Sequence, residues 1–245
     1  MKGTIKPLIN FLPHPSTVYS VEGVAPQRRQ RMLNLSLEIL TIFLSIIILG
    51  AICRPIALSW GEWIASTYNT INPAEQMLGY NHKIAEKWLL SVFAILIAPA
   101  LEEFAFRYGL NLKPTPLALC LSSSLLYCAV GPLRLTPLSF QLSFAILILV
   151  LGFCFYWGFR RSMPQIGRYK GSIVVLFSLL FGLAHLGNLE TFEWIGLPVY
   201  LLCIAPIFLF GYYLAYIRIR RGIGMAILLH LINNMVAILL MRGAS

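Results

Sequence analysis

The residues best suited to chemistry are two adjacent glutamates inside an apolar stretch. Glu102 and Glu103 lie near the end of a run that begins at Trp88 and is long and apolar enough to form a membrane helix. An ionisable group within such a helix costs about 2.5–3.5 kcal/mol on insertion scales, so it is a functional-site hypothesis by default. Arg107 follows Glu103 by four residues, which places the two side chains on one helical face as an ion pair.

The two glutamates are predicted to have different roles. Glu102 points about 100° away from Glu103 and has no basic partner in its own helix. A carboxylate without a partner in apolar surroundings suits a general base or acid. We therefore assign Glu102 to chemistry, and Glu103 with Arg107 to structural support. The alternative is that both glutamates are anchors at the membrane edge.

Two later apolar segments each carry a histidine. Phe181 shares a helical face with His185, and His230 shares one with Asn234. A lone histidine in a membrane helix often only bridges helices, and a histidine with an asparagine can form a polar clamp between helices. Asn234 could instead orient His230, or donate its amide to a developing oxyanion.

Together these residues could hold and activate a water molecule. Glu102 would take a proton from the water, while the asparagine or a histidine stabilises the oxyanion. Two histidines and one glutamate also match the ligand count of a zinc site, formed by His185, His230 and Glu102. If Glu102 binds zinc, another base is needed. The residues leave open whether zinc or hydrogen bonding alone activates the water.

The composition indicates that the elements positioning these residues are membrane helices. The chain has 245 residues, of which 58% are hydrophobic and only 11% charged, against about 25% charged in soluble domains. The apolar runs are too long for barrel strands, which predicts an all-α, polytopic transmembrane helix bundle. The net charge of +10 fits basic residues that flank membrane helices, and we predict a lipid bilayer and no nucleic acid among the partners.

Seven apolar runs predict about seven membrane spans. The predicted spans cover residues 32–53, 88–107, 116–130, 140–159, 172–186, 198–217 and 224–240. Arg54 and Pro55 are expected to end the first span, and residues 61–68 to lie on the membrane surface as an amphipathic piece. Pro99 is expected to loosen the hydrogen-bond ladder of the second span one turn before the glutamates.

The basic residues predict the orientation of these spans. With a cytoplasmic N-terminus, 14 of the 19 basic residues lie on the inner side, Arg107 among them. The five left outside are Arg54, Lys83, Lys87, Arg134 and Arg242. We thus predict a cytoplasmic N-terminal tail over residues 1–31 and a transmembrane domain over residues 32–245. The five cysteines are expected to be buried thiols without disulfides.

The three motifs, in this order in a polytopic chain, resemble the CPBP family of intramembrane proteases. That family groups CAAX prenyl endopeptidases with bacteriocin-processing and self-immunity proteins, and is also called the Abi family. The motifs lie within residues 99–235 and consist of Glu102, Glu103 and Arg107, then Phe181 and His185, then His230 and Asn234.

The resemblance implies a helical bundle with a cavity open to the cytoplasm. It also implies that Glu102 activates water, that His185 and His230 assist, and that Asn234 helps to bind the oxyanion. The family is called a metalloprotease family, although a glutamate-dependent mechanism without a required metal is also proposed for it.

We therefore expect an intramembrane endopeptidase that acts on a membrane-anchored or lipidated peptide or protein. No His-Glu-x-x-His motif, no aspartate and no Gly-x-Ser-x-Gly motif occurs in the sequence, so other common protease mechanisms fit worse. The alternatives are a non-enzymatic membrane scaffold or self-immunity protein, and a small proton-coupled transporter. The short connections favour an integral protein of a bacterial plasma membrane.

Overall fold

The computed structural model describes residues 11, 15, 28–130, 138–189 and 191–243. Regular structure in these residues is helical throughout, and none of them lies in a β-strand. The all-α prediction is confirmed. The predicted cytoplasmic tail lies almost entirely outside the described residues.

The α-helices of the described residues are numbered in chain order. They are α1 Arg28–Tyr68, α2 Pro73–Glu86, α3 Trp88–Val92, α4 Ala98–Arg107, α5 Pro114–Val130, α6 Leu138–Ile166, α7 Lys170–Ala184, α8 Leu197–Arg221 and α9 Ile223–Gly243. A π-helical segment, Phe93–Ile97, joins α3 to α4, and short 3-10 segments follow α4, α6 and α7.

Five stretches of the described chain are long and apolar enough to cross a membrane. They are Leu35–Tyr68, Trp88–Asn111, Gly167–Asn188, Trp194–Arg221 and Ile223–Gly243. The protein is therefore an integral membrane protein. Helices α5 and α6 correspond to the predicted third and fourth spans, and the total of seven stays a prediction, as does the cytoplasmic N-terminus.

The first helix is longer than the sequence indicated. Arg54 and Pro55 do not end it, since α1 continues through both to Tyr68. Residues 61–68 thus extend this helix and do not form a separate surface piece. The prediction was wrong because one proline removes a single backbone donor, whereas opening the helix in lipid exposes several polar groups. At 1.5 Å per residue the 34-residue apolar stretch measures about 51 Å, well beyond a 30 Å hydrocarbon core.

Helix α8 lies at the centre of the bundle, against α1, α7 and α9. Its residues from Phe210 to Ile217 are all buried, as expected of a helix that is surrounded on every side. A single residue, Gly222, connects it to α9 and has a positive φ of 93°. Glycine adopts that conformation without a steric penalty, so the chain can reverse within one residue.

The short helix α4 carries both glutamates and packs against α5, α7 and α9. Pro99 lies in its first turn, directly after the π-helical segment. The predicted disturbance of the hydrogen-bond ladder is thus confirmed, and it takes the form of a π-helical turn. The fold brings three helices around the one that carries the glutamates.

The five cysteines are free thiols, as predicted. Cys53 and Cys120 are buried, while Cys128 and Cys203 are half-buried. Cys154 is exposed on α6 and contradicts the prediction that all five are buried. Its helix presents an apolar outer face, and in a membrane protein that face is turned to lipid.

Candidate active site

Glu103 and Arg107 form a buried ion pair within α4. Glu103 is 0% exposed and Arg107 is 1% exposed. The Nη1 of the guanidinium donates to Oε1 of the Glu103 carboxylate. The predicted spacing of four residues is therefore realised as a direct contact. The pair is buried inside the bundle, and the alternative that the glutamates anchor the helix at the membrane edge stays open.

Other elements also hold the guanidinium of Arg107. Its Nε donates to the backbone oxygen of Gly211 at 3.4 Å, and its central carbon lies 4.1 Å from the centre of the Phe181 ring. A charge held this way lies inside the bundle, where it supports the position of Glu103. Its count among the cytoplasmic basic residues stays a prediction.

His230 lies between the two glutamates. Its Nδ1 is 2.9 Å from Oε1 of Glu103, and its Nε2 is 3.3 Å from Oε2 of Glu102. The histidine is buried, and the ring of Phe210 packs edge-on against it. The glutamates therefore orient His230, which the sequence had left open as one possible role of Asn234.

We call Glu102, Glu103, Arg107 and His230 the carboxylate cluster. The guanidinium of Arg107 is paired with Glu103, and the His230 ring bonds the same carboxylate. Pairing and hydrogen bonding of this kind lower the cost of burying a charge.

Glu102 has a second partner on its other oxygen. The hydroxyl of Tyr127, from α5, donates to Oε1 of Glu102 at 3.0 Å. Glu102 is 8% exposed, the most accessible member of the carboxylate cluster. The sequence predicted that this carboxylate has no partner in its own helix, and its partners indeed come from α5 and α9.

Phe181 connects His185 to the carboxylate cluster. Its buried ring lies edge-on to the rings of His185 and His230, with centroids 5.0 Å and 5.7 Å away. The Nδ1 of His185 faces the backbone oxygen of Phe181 at 2.9 Å. Because a carbonyl oxygen only accepts, Nδ1 carries the proton and Nε2 holds the free lone pair in the neutral ring.

Asn234 is tied to the π-helical segment. Its amide nitrogen donates to the backbone oxygen of Ala94 at 2.9 Å. In a regular α-helix the N–H of Ala98 would donate to this oxygen, but here it donates to the oxygen of Phe93. In a π-helix the donor to the Ala94 oxygen would be residue 99, which is a proline and has no N–H. The asparagine therefore satisfies a carbonyl that the helix leaves without a donor.

The predicted zinc ligands can be tested against their contacts. Both ring nitrogens of His230 face carboxylate oxygens, whereas His185 faces a carbonyl with Nδ1 only and keeps Nε2 free. A zinc-bound imidazole needs one nitrogen free for the metal. Within the described part of the chain, no group of three histidine, cysteine or acidic side chains could hold a metal ion. This arrangement does not fit zinc held by His185, His230 and Glu102.

Sequence reasoning missed three contributors to the site. Tyr127 contacts Glu102, the backbone of Gly211 contacts Arg107, and the oxygen of Ala94 contacts Asn234. Tyr127 had a detectable signal, because a phenol in an apolar helix usually finds a polar partner. The two backbone contacts depend on helix packing and have no side-chain signature.

Comparison with known proteins assigns the family. The model of the type II CAAX prenyl endopeptidase Rce1-like family matches residues 84–236, which is more than half of the chain. No curated protein and no solved structure matches the chain. The matched region contains every residue of the carboxylate cluster, together with His185 and Asn234. The chain belongs to the type II CAAX prenyl endopeptidase Rce1-like family.

Proposed function

We propose that the protein is an intramembrane endopeptidase in which Glu102 activates a water molecule without a metal ion. The substrate class we propose is a membrane-anchored or lipidated peptide or protein, and the family match favours a prenylated CAAX terminus as the first form to test. The membrane we propose is a bacterial plasma membrane. The observation that supports the proposal is the position of Glu102, which accepts a hydrogen bond from Tyr127 on one oxygen, faces His230 with the other, and is the most accessible member of the buried carboxylate cluster.

The residues suggest the following sequence of steps. Glu102 takes a proton from water while the water oxygen attacks the carbonyl carbon of the scissile peptide bond. Nε2 of His185 can accept the second hydrogen of that water. The tetrahedral oxyanion accepts the second amide N–H of Asn234, since the first is engaged by Ala94. Collapse of the intermediate breaks the C–N bond, and the proton on Glu102 passes to the leaving amine.

The test uses the purified protein in liposomes with an internally quenched, farnesylated CAAX peptide. Glu102→Gln should lower the cleavage rate by about 10²–10⁴-fold, the usual contribution of a general base. The control is Glu62→Gln, which changes an exposed glutamate on α1 in the same way and should keep the wild-type rate. Full activity in the Glu102 variant would overturn the proposed role.

Two further measurements separate the remaining possibilities. A metal chelator should leave the rate unchanged, and a loss that added zinc restores would contradict the metal-free mechanism. The same peptide without its farnesyl group reports whether the lipid is part of recognition. A biological effect that is lost in an Arg107 variant and kept in Glu102→Gln would favour the non-enzymatic scaffold.

A further inference from the structure

We propose that Tyr127 is a positioning residue that sets the orientation of the Glu102 carboxylate, an inference that rests on the proposed function. Tyr127 lies on α5, which carries none of the three sequence motifs. Its hydroxyl donates to Oε1 of Glu102 at 3.0 Å, on the opposite oxygen from His230.

A general base in this position needs such a restraint. The terminal torsion of a glutamate is broad and does not settle into sharp rotamers, so packing along the side chain does not fix the plane of the carboxylate. A hydrogen bond from a donor held in place does fix it. Tyr127 supplies such a hydrogen bond to Oε1, whereas Nε2 of His230 makes only an ion-pair contact with Oε2 at 3.3 Å.

The backbone beneath Glu102 makes the restraint more important. Glu102 is the fifth residue of α4, one turn after a π-helical segment and a proline that together disturb the hydrogen-bond ladder. The hydrogen-bond ladder is therefore irregular on the N-terminal side of Glu102. A hydrogen bond from a neighbouring helix adds a restraint that this ladder does not supply.

Tyr127 is itself held in place. Its ring lies edge-on to the fully buried ring of Phe106, with centroids 5.5 Å apart, and α5 packs directly against α4. A phenol can donate to an ionised carboxylate and accept from a protonated one. The contact with Glu102 can therefore persist before and after the glutamate takes a proton from water.

The first experiment measures cleavage of the farnesylated peptide by Tyr127→Phe, which removes only the hydroxyl. We expect kcat to fall roughly tenfold to a hundredfold, the size of a hydrogen bond to a charged group. KM should stay within about twofold, because a positioning residue does not hold the substrate. The control is Tyr156→Phe on α6, a half-buried tyrosine outside the carboxylate cluster, which should keep the wild-type kcat.

The second experiment reads the contact without using activity. Thermal unfolding is compared for wild type, Tyr127→Phe, Glu102→Ala and the double variant. Two side chains that bond each other lower the unfolding temperature by less together than their separate effects would predict. A purely packing role for the ring would leave the two effects additive.

The outcomes separate the positioning role from the proposed function. A wild-type kcat in Tyr127→Phe, a change in KM alone, or additive unfolding shifts would overturn the role of Tyr127 while Glu102-dependent cleavage stands. A wild-type protein that cleaves none of the peptides would overturn the proposed function, and the role of Tyr127 with it. A lowered kcat at constant KM with non-additive unfolding supports both.

Discussion

The ion pair between Glu103 and Arg107 is predicted to dominate the stability of the site. In Arg107→Met the flexible apolar stem remains and the guanidinium is lost. Glu103 then stays at 0% exposure without the cation that balances it. Removing one partner of a buried ion pair costs about 3–5 kcal/mol, since the remaining charge is left uncompensated.

Other contributions to this substitution are smaller. The guanidinium lies 4.1 Å from the centre of the Phe181 ring, a contact worth about 2 kcal/mol when desolvated. A methionine sulfur near the same ring would recover about 0.3–1.5 kcal/mol. The orphaned carboxylate therefore decides the result. Against a total stability of about 5–15 kcal/mol, the expected loss is a large fraction.

The measurement is unfolding in mixed detergent micelles, followed by circular dichroism. The decisive comparison is the double variant Glu103→Gln with Arg107→Met, in which no charge is left behind. Its stability should return to within about 1 kcal/mol of wild type, because a neutral pair of similar volume avoids the desolvation cost. Activity should not return with it, since the Glu103 carboxylate also bonds and orients His230.

Two results would refute this reasoning. If Arg107→Met unfolds like wild type, the pair is not buried as the structure describes it. If the double variant is as unstable as the single one, the cost comes from lost packing of the arginine stem and not from the orphaned charge.

The other predictions concern close packing and a helix end. Gly211→Ala should destabilise the protein by about 1–3 kcal/mol and slow cleavage, because the new Cβ would lie 2.6 Å from the ring of Phe181; Gly50→Ala, with open space around it, is the control in the same unfolding assay. Arg242→Ala should lower the free energy of unfolding by about 1–2 kcal/mol, because the arginine bonds the last turn of α2 and the Ser91 hydroxyl. The cleavage rate should stay unchanged, because Arg242 lies twelve residues after His230 on α9. An altered kcat in that variant would contradict its purely structural role.

Much of this site could be predicted because membrane helices make polar residues conspicuous. Glu102, His185 and His230 stand out in runs where an ionisable side chain is costly, and spacing by four residues correctly paired Glu103 with Arg107. The same cost is met by the contacts of His230 with both glutamates. The all-helical fold followed from the same composition.

The rest could not be predicted because it depends on how helices meet. Spacing within α4 shows that Glu102 and Glu103 point in different directions. It does not show that the imidazole of His230, on α9, contacts both carboxylates. The burial of Arg107 between helices could not be predicted either, because sequence gives no measure of lateral burial. The end assigned to α1 at Pro55 failed for a related reason, since the alternatives to a continuous helix are poor in lipid.

The contact between Asn234 and Ala94 shows how a local irregularity determines a tertiary position. Pro99 and the π-helical turn leave the Ala94 oxygen without its usual backbone donors, and an unsatisfied carbonyl inside a bilayer costs several kcal/mol. The Asn234 amide meets that need and so fixes α9 against the segment that leads into α4. His230 lies one turn earlier on α9, on the same face. The irregular hydrogen bonding before Glu102 thus also determines how α9 is placed along this segment, and with it the position from which His230 contacts both glutamates.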